Sequence, residues 1–221
     1  MFNLRSVLTL AAMSCALVAP AAARADVFSN TFDVHASSLG SGIGLSHAVA
    51  PNLDVRVATG SLSFNRNGTD SDLNYNGSVR LRNTAALVDF YPSRTPFRLT
   101  AGYVLGSDEI DVTGTPASGS FTINGTTYSS SQINAVTGTA RLSPGAYVGI
   151  GLGASRRARV SLTADAGVVF RSVSTSLTGY GPAAGTAQFQ SDLAQAQADF
   201  QNSVGALRTY PVISLGVATR F

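Results

Sequence analysis

The sequence predicts an all-β fold: one eight-stranded antiparallel barrel that spans a membrane, with a single amphipathic helix in its last external loop. Three observations carry that prediction. The chain opens on an export signal, several later segments alternate apolar residues with small or polar ones, and Phe221 ends a strand-like run that begins at Ile213. In that run Ile213, Leu215, Val217, Thr219 and Phe221 share one face, as expected of a lipid-facing strand that closes a barrel.

Met1 to Ala25 reads as the signal. It has a basic start at Arg5, an apolar stretch from Val7 to Val18 and the small-residue pattern Ala23-Arg24-Ala25, which places cleavage near Ala25; cutting after Ala23 also fits. An N-terminal membrane helix is the competing reading, disfavoured because the apolar stretch is short. Residues 1–25 are therefore expected to be removed, leaving 26–221 as one barrel domain. Cys15, the one cysteine, lies inside the signal, and Ala12-Met13-Ser14 before it departs from a lipoprotein site. The mature chain is expected to have no disulfide and no thiolate metal site. All 15 basic residues are Arg, and Arg5 and Arg24 fall in the signal, so the remainder nearly balances the 12 acidic residues. That balance gives no electrostatic case for nucleic acid.

The elements follow in order. Strands are expected at Thr31 to Ser37, Gly42 to Val49, Leu53 to Phe64, Tyr75 to Tyr91, Phe97 to Val112, Thr137 to Leu152, Val160 to Leu177 and Thr209 to Phe221. The alternation is clearest where Leu53, Val55 and Val57 oppose Asp54 and Arg56, and where Val148, Ile150 and Leu152 oppose Tyr147, Gly149 and Gly151. A soluble sandwich would turn the apolar face inward and leave those glycines in solvent, where they weaken a strand without gain. A membrane barrel turns the apolar face outward and uses glycine to make room inside, and this is the favoured reading. The first hairpin is the weak point, with short strands and a short Ser38 to Ser41 loop. Asp89 sits on the expected outer face of its strand, so either a bulge near Asn83 turns it inward or it lies at the rim.

The connections alternate in length. Ala50 to Asn52, Pro92 to Pro96 and Gly153 to Arg159 are short; Asn65 to Asn74, Thr113 to Val136 and Thr178 to Arg208 are long. Short turns on the periplasmic side and long loops outside are the expected arrangement. Phe90, Tyr91, Phe97 and Phe221 would form one aromatic girdle, and Phe64, Tyr75 and Tyr210 the other. Phe121 to Tyr128 alternates around Asn124-Gly125, a hairpin turn signal. Ala187 to Leu207 is the helical stretch: Phe189, Leu193, Ala196, Phe200, Val204 and Leu207 form one apolar stripe, with fraying expected at Gly205. It packs on the barrel rim or serves as a lid over the lumen or a partner-binding element.

The signal, the alternating strands and the end Leu215-Gly-Val-Ala-Thr-Arg-Phe221 resemble the small bacterial outer-membrane barrels, a set that includes the OmpA transmembrane domain, OmpX, OmpW and the opacity-like surface proteins. The resemblance covers nearly the whole mature chain, in architecture more than in residue identity. It implies a Gram-negative outer membrane and insertion by the barrel-assembly machinery; unlike full-length OmpA, no peptidoglycan-binding domain is expected after the barrel.

Candidate chemistry is sparse. Asp54, Arg56, Arg80, Arg82, Arg98, Arg141, Asp165, Arg171 and Arg220 are expected to point inward and to pair, with bound water. His35 and His47 are the two histidines. Asp33, His35 and Ser37 fall on one strand face, and the run resembles the His-x-Ser of a lipid A deacylase. Arg156, Arg157 and Arg159 form a solvated turn or a contact for anionic headgroups of the inner leaflet. Asn67-Gly-Thr and Asn124-Gly-Thr read as turns, and Gly149 to Gly153 precedes a strand rather than the helix a phosphate loop needs. The expectation is a monomeric, non-catalytic protein in contact with outer-membrane lipids, with no cofactor, no metal and no catalytic residue, presenting external loops to a surface partner. The alternatives are a narrow, porin-like channel for small or hydrophobic solutes in the manner of OmpW, and a lipid-modifying enzyme around His35.

Overall fold

The computed structural model describes residues 29–70, 73–92, 95–154 and 158–221. Residues 1–25, expected as an export signal, and the pair Arg156 and Arg157 lie outside the described residues. The strands are β1 (Asn30–Ser37), β2 (Gly40–Ala50), β3 (Leu53–Asp70), β4 (Leu73–Phe90), β5 (Phe97–Gly106), β6 (Asp108–Pro116), β7 (Ser120–Ile123), β8 (Thr126–Ser129), β9 (Ala135–Leu142), β10 (Gly145–Leu152), β11 (Val160–Phe170), β12 (Val173–Tyr180) and β13 (Thr209–Arg220); one helix, α1 (Ala187–Ser203), precedes β13. Strands β1, β2, β3, β4, β5, β10, β11 and β13 pair in that order, and β13 returns to β1 through Thr31 opposite Arg220. The result is a closed eight-stranded antiparallel barrel. The first hairpin is a full member of it: β1 pairs along its length with both β13 and β2. Gly40 makes that tight turn possible, since its φ of +116° and its seat against the Ser61 backbone exclude a side chain.

The apolar residues expected on the outside are there. Leu45, Val57, Leu99, Val148, Ile150, Leu162, Ile213 and Leu215 are all exposed on the outer surface. A belt of that size on a water-facing surface would be a severe liability; in contact with hydrocarbon it is stabilising. Phe90, Phe97 and Phe221 lie outward at the short-turn end, whereas Tyr91 turns into the lumen and is buried. The second girdle differs from expectation. Tyr210 is buried, donating its hydroxyl to the Ser38 carbonyl at 2.8 Å, and Tyr103 and Phe170 are the exposed rings toward that end.

Beyond the belt the wall continues on one side only. β3 and β4 each run 18 residues, and β4 pairs first with β6 and then with β5. β6, β9 and β12 carry β5, β10 and β11 onward as a sheet in the order β12-β9-β6-β4-β3. The segment Asn65 to Asn74, expected as a loop, is therefore mostly paired strand, with Asn65 opposite Ser78 and Asp70 opposite Leu73. On the inner side of this extension sit α1 and the β7–β8 hairpin. The hairpin turns at Asn124 (φ 47°) and Gly125 (φ +80°), the two positive angles that its Asn-Gly pair adopts readily. α1 begins at Thr186, whose hydroxyl accepts from the Phe189 amide, and beyond Val204 the chain tightens into a 3-10 turn from Gly205 to Arg208.

A lipid-facing belt predicts that Val148→Arg, in the central outward row opposite Ala101, lowers folding stability by about 2–4 kcal/mol in vesicles. Urea unfolding of the vesicle-inserted protein measures it. An unchanged midpoint would mean that this surface faces water.

Candidate functional site: a filled lumen under a helical cap

Among the described residues, charged and apolar side chains occupy the lumen of the barrel. In the half nearer the short turns, Arg56 from β3, Asp89 from β4, Arg98 from β5 and Asp165 from β11 form a ring of alternating charge. Arg56 Nε lies 2.9 Å from Asp89 Oδ2, and its Nη1 lies 3.3 Å from Asp165 Oδ2. Arg98 reaches Asp165 with Nη2 at 2.8 Å to both carboxylate oxygens and Nε at 3.1 Å. Its Nη1 approaches Asp89 at 3.5 Å, while Thr100 donates its hydroxyl to Asp89 at 2.6 Å. Asp89 is fully buried. Such a ring is stable only as a unit, because each charge is desolvated and depends on two neighbours.

Above the ring lies a cavity of about 70 Å³ whose wall includes Asp33, His35, Thr163, Ser214, Arg98 and Tyr147. Higher still, Leu39, Leu87, Val104, Tyr147, Val169 and Val212 close the lumen with apolar side chains. Asn83 spans this level, donating to the Leu39 carbonyl at 2.9 Å. A second ion pair, Arg171 Nη1 to Asp108 Oδ2 at 2.6 Å, sits at the junction with the extension, with the guanidinium over the Tyr210 ring. Glycine creates the room. A Cβ on Gly149 or Gly167 would collide with the Tyr147 hydroxyl, and one on Gly44 with the Asp33 carboxylate.

The cap completes the closure. Phe200, Val204 and Leu207 join the apolar cluster at the lumen top, and Phe189 and Leu193 join Phe121, Tyr128 and Ile133 under the hairpin. The stripe thus faces the lumen side of the extension, the geometry of a lid. Asp192 latches helix to hairpin: it accepts from Tyr128 Oη at 2.7 Å, Asn124 Nδ2 at 3.3 Å and Gln188 Nε2 at 3.2 Å. These hydrogen bonds, Tyr128 first, pull the Asp192 carboxyl down to about 2. Burial, with the adjacent carboxylate, pushes the Tyr128 hydroxyl up.

Of the side chains expected inside, Asp54, Arg56, Arg98 and Arg171 are buried, and Asp165, partly buried, and Arg220 lie on the inner face. Arg80, Arg82 and Arg141 are not; they stand on the outer face of the extension. The cause is phase. In β4 the odd residues Leu81, Leu87 and Asp89 face inward, yet Ala86, Val88 and Phe90 opposite them are apolar too, so alternation alone does not choose a face. No bulge is present, since the β3–β4 register is unbroken from Leu53–Phe90 to Asp70–Leu73, and Asp89 is neither bulged nor at the rim. For Arg141, the break between β9 and β10 at Ser143 and Pro144 switches the inward residues from even to odd.

Asp33 and His35 do meet, Nδ1 to Oδ2 at 2.7 Å, but the Ser37 hydroxyl is committed to its own turn, donating to the Gly40 carbonyl at 2.9 Å. The three types share a face without forming a nucleophile–base pair. His47 lies on the outer surface beside Asn30. The sequence reading missed Asp108 and Asp192; Asp192 was signalled only by its place one residue before Leu193, inside an apolar stripe.

No known protein family matches the sequence, and no curated protein matches it. Two solved structures share the architecture. Acinetobacter baumannii CarO is 13% identical, with 86% of this chain and 97% of that one covered at a TM-score of 0.54; CarO2 of the same organism is 15% identical, with 89% and 100% covered at 0.56. Both are eight-stranded outer-membrane barrels, and the chain has their fold.

Two outcomes follow from this geometry. Asp89→Ala leaves Arg56 and Arg98 without a shared acceptor and is expected to cost about 3–5 kcal/mol in denaturant unfolding. The Asp192 latch has a depressed carboxyl pKa, so its contribution is complete above about pH 4 and is lost as pH falls through about 2. At pH 3 pepsin should therefore spare residues 187–203 in the wild type and cut them in Asp192→Ala.

Proposed function

We propose that the protein is a closed, non-catalytic barrel of a bacterial outer membrane that holds its extension and cap as a surface for contact with partners. The observation carrying this reading is the filled interior beneath a large ordered projection. An ionic ring, an apolar layer and α1 block the axis in succession, while the β3–β4 hairpin, the β6–β9–β12 sheet and the β7–β8 hairpin stand beyond the apolar belt. Ordered strands and a latched helix give a binding surface low conformational entropy to lose on contact. The short turns face the periplasm and the extension faces outward. The C-terminal strand, ending in Phe221, is the segment that the assembly machinery would read.

The filled axis argues against the channel reading, and the commitment of Ser37 to its turn argues against the enzyme reading. Planar-bilayer recording tests the first. The wild type should show no discrete conductance steps, and deletion of residues 187–207 alone should also be silent, because the Arg56–Asp89–Arg98–Asp165 ring remains below. Steady unitary steps from the wild type would reverse the assignment to a solute pathway.

A further inference from the structure

The outer surface changes character abruptly where the barrel becomes the extension. On β5 Tyr103 and Leu105 stand out into the apolar belt, each about half exposed. One row further, the outward side chains are Arg82 on β4 and Ser107, which β-pairing places side by side: the Ser107 amide donates to the Arg82 carbonyl at 3.1 Å. The next row sets Arg80, Glu109 and Arg141 across three neighbouring strands.

These arginines are not equivalent. Arg141 Nε is 3.3 Å from Glu109, and Arg80 Nη2 is 3.7 Å from Asp111. Among the described residues no acidic side chain pairs with the Arg82 guanidinium, while its backbone amide donates to Asp108 at 2.9 Å. Beside it the surface is indented. Arg82, Thr84, Leu105 and Ser107 border the depression, with Gly60, Asn83 and Gly106 completing its lining. Two hydroxyls and a free guanidinium thus border a hollow whose lower lip is apolar. Arg matches a phosphate with paired N–H donors, and hydroxyls supply the remaining contacts.

We propose that this hollow binds the phosphate of a membrane lipid headgroup on the long-loop side, with the lipid chains running down over Leu105 and Tyr103. The proposal rests on the reading of the belt as lipid-facing. Height and chemistry agree there: a headgroup phosphate lies one residue row above the hydrocarbon boundary, which is where Arg82 stands. A soluble anion would have no use for the apolar lip.

The test uses the full mature chain folded in dodecyl maltoside, a detergent without phosphate. Native mass spectrometry compares retention of dioleoylphosphatidic acid with dioleoylglycerol, which carries the same chains and no phosphate; 31P NMR follows inorganic phosphate alone. The wild type should retain the phosphate-bearing lipid about tenfold better, in line with a charge-assisted contact. Arg82→Ala and Arg82→Gln should abolish the preference, while Arg141→Ala, whose guanidinium is already paired, should keep it. Urea midpoints verify that each variant is folded. Equal retention of the two lipids, or an undiminished preference in both Arg82 variants, would overturn the proposal. Inorganic phosphate binding as tightly as the lipid would also overturn it, in favour of a solute anion site. A mature chain that is folded and soluble without detergent would instead sink the membrane reading itself.

Discussion

An eight-stranded cylinder is too narrow to be left empty and too wide for its backbone to close on itself, so side chains must fill it. The ring of Arg56, Asp89, Arg98 and Asp165 meets that requirement in the half nearer the short turns. Its members come from three consecutive strands, β3, β4 and β5, and from β11, which joins them from much later in the chain. The charges compensate one another only when all four strands are in register, so the ring ties barrel closure to a single alignment. The glycines follow from the same constraint, because Tyr147 and Asp33 lie flat against walls that have given up their Cβ atoms.

Much of this was legible in the sequence. The existence of eight barrel strands, the closing role of the Ile213 to Phe221 run, the Asn124-Gly125 turn and the apolar helix stripe each have a strong local signal, because alternation, turn chemistry and helical spacing are properties of neighbouring residues. What escaped was the facing of residues in strands that are apolar on both sides. Arg80 and Arg82 were assigned to the lumen for that reason, and Arg141 because the irregularity at Ser143 and Pro144 reverses parity within what reads as one long strand. Asp89 held the corrective information. A carboxylate in the apolar run Ala85 to Phe90 has no place against lipid, and giving it weight over the surrounding pattern would have set the phase of the strand.

The cap depends on contacts that no local pattern encodes. α1 was recognisable as amphipathic, but its destination is set by Phe121, Tyr128 and Ile133 more than 50 positions earlier and by the Asp192–Tyr128 hydrogen bond. The Arg171–Asp108 pair, at the level where the barrel gives way to the extension, is likewise a pairing of residues 63 positions apart. The candidate site is therefore less readable than the fold, since its parts meet only after the barrel has formed.

The one-sided extension leaves a seam. β2 accompanies β3 only as far as Ser61 opposite Ser41, so from Leu62 onward one rim of β3 carries backbone donors and acceptors with no strand beside them. On the far margin, Gln197 of α1 reaches Leu177 and Thr175 and partly screens β12. Among the described residues no helix screens the β3 rim in that way, and the composition of its tip is the compensation: Asn65, Arg66, Asn67 and Gly68 are poor material for stacking another chain alongside. Replacing that polar tip with Val or Ile would make this rim a seed for edge-to-edge association, with copies joined through the extension rather than through the barrel wall.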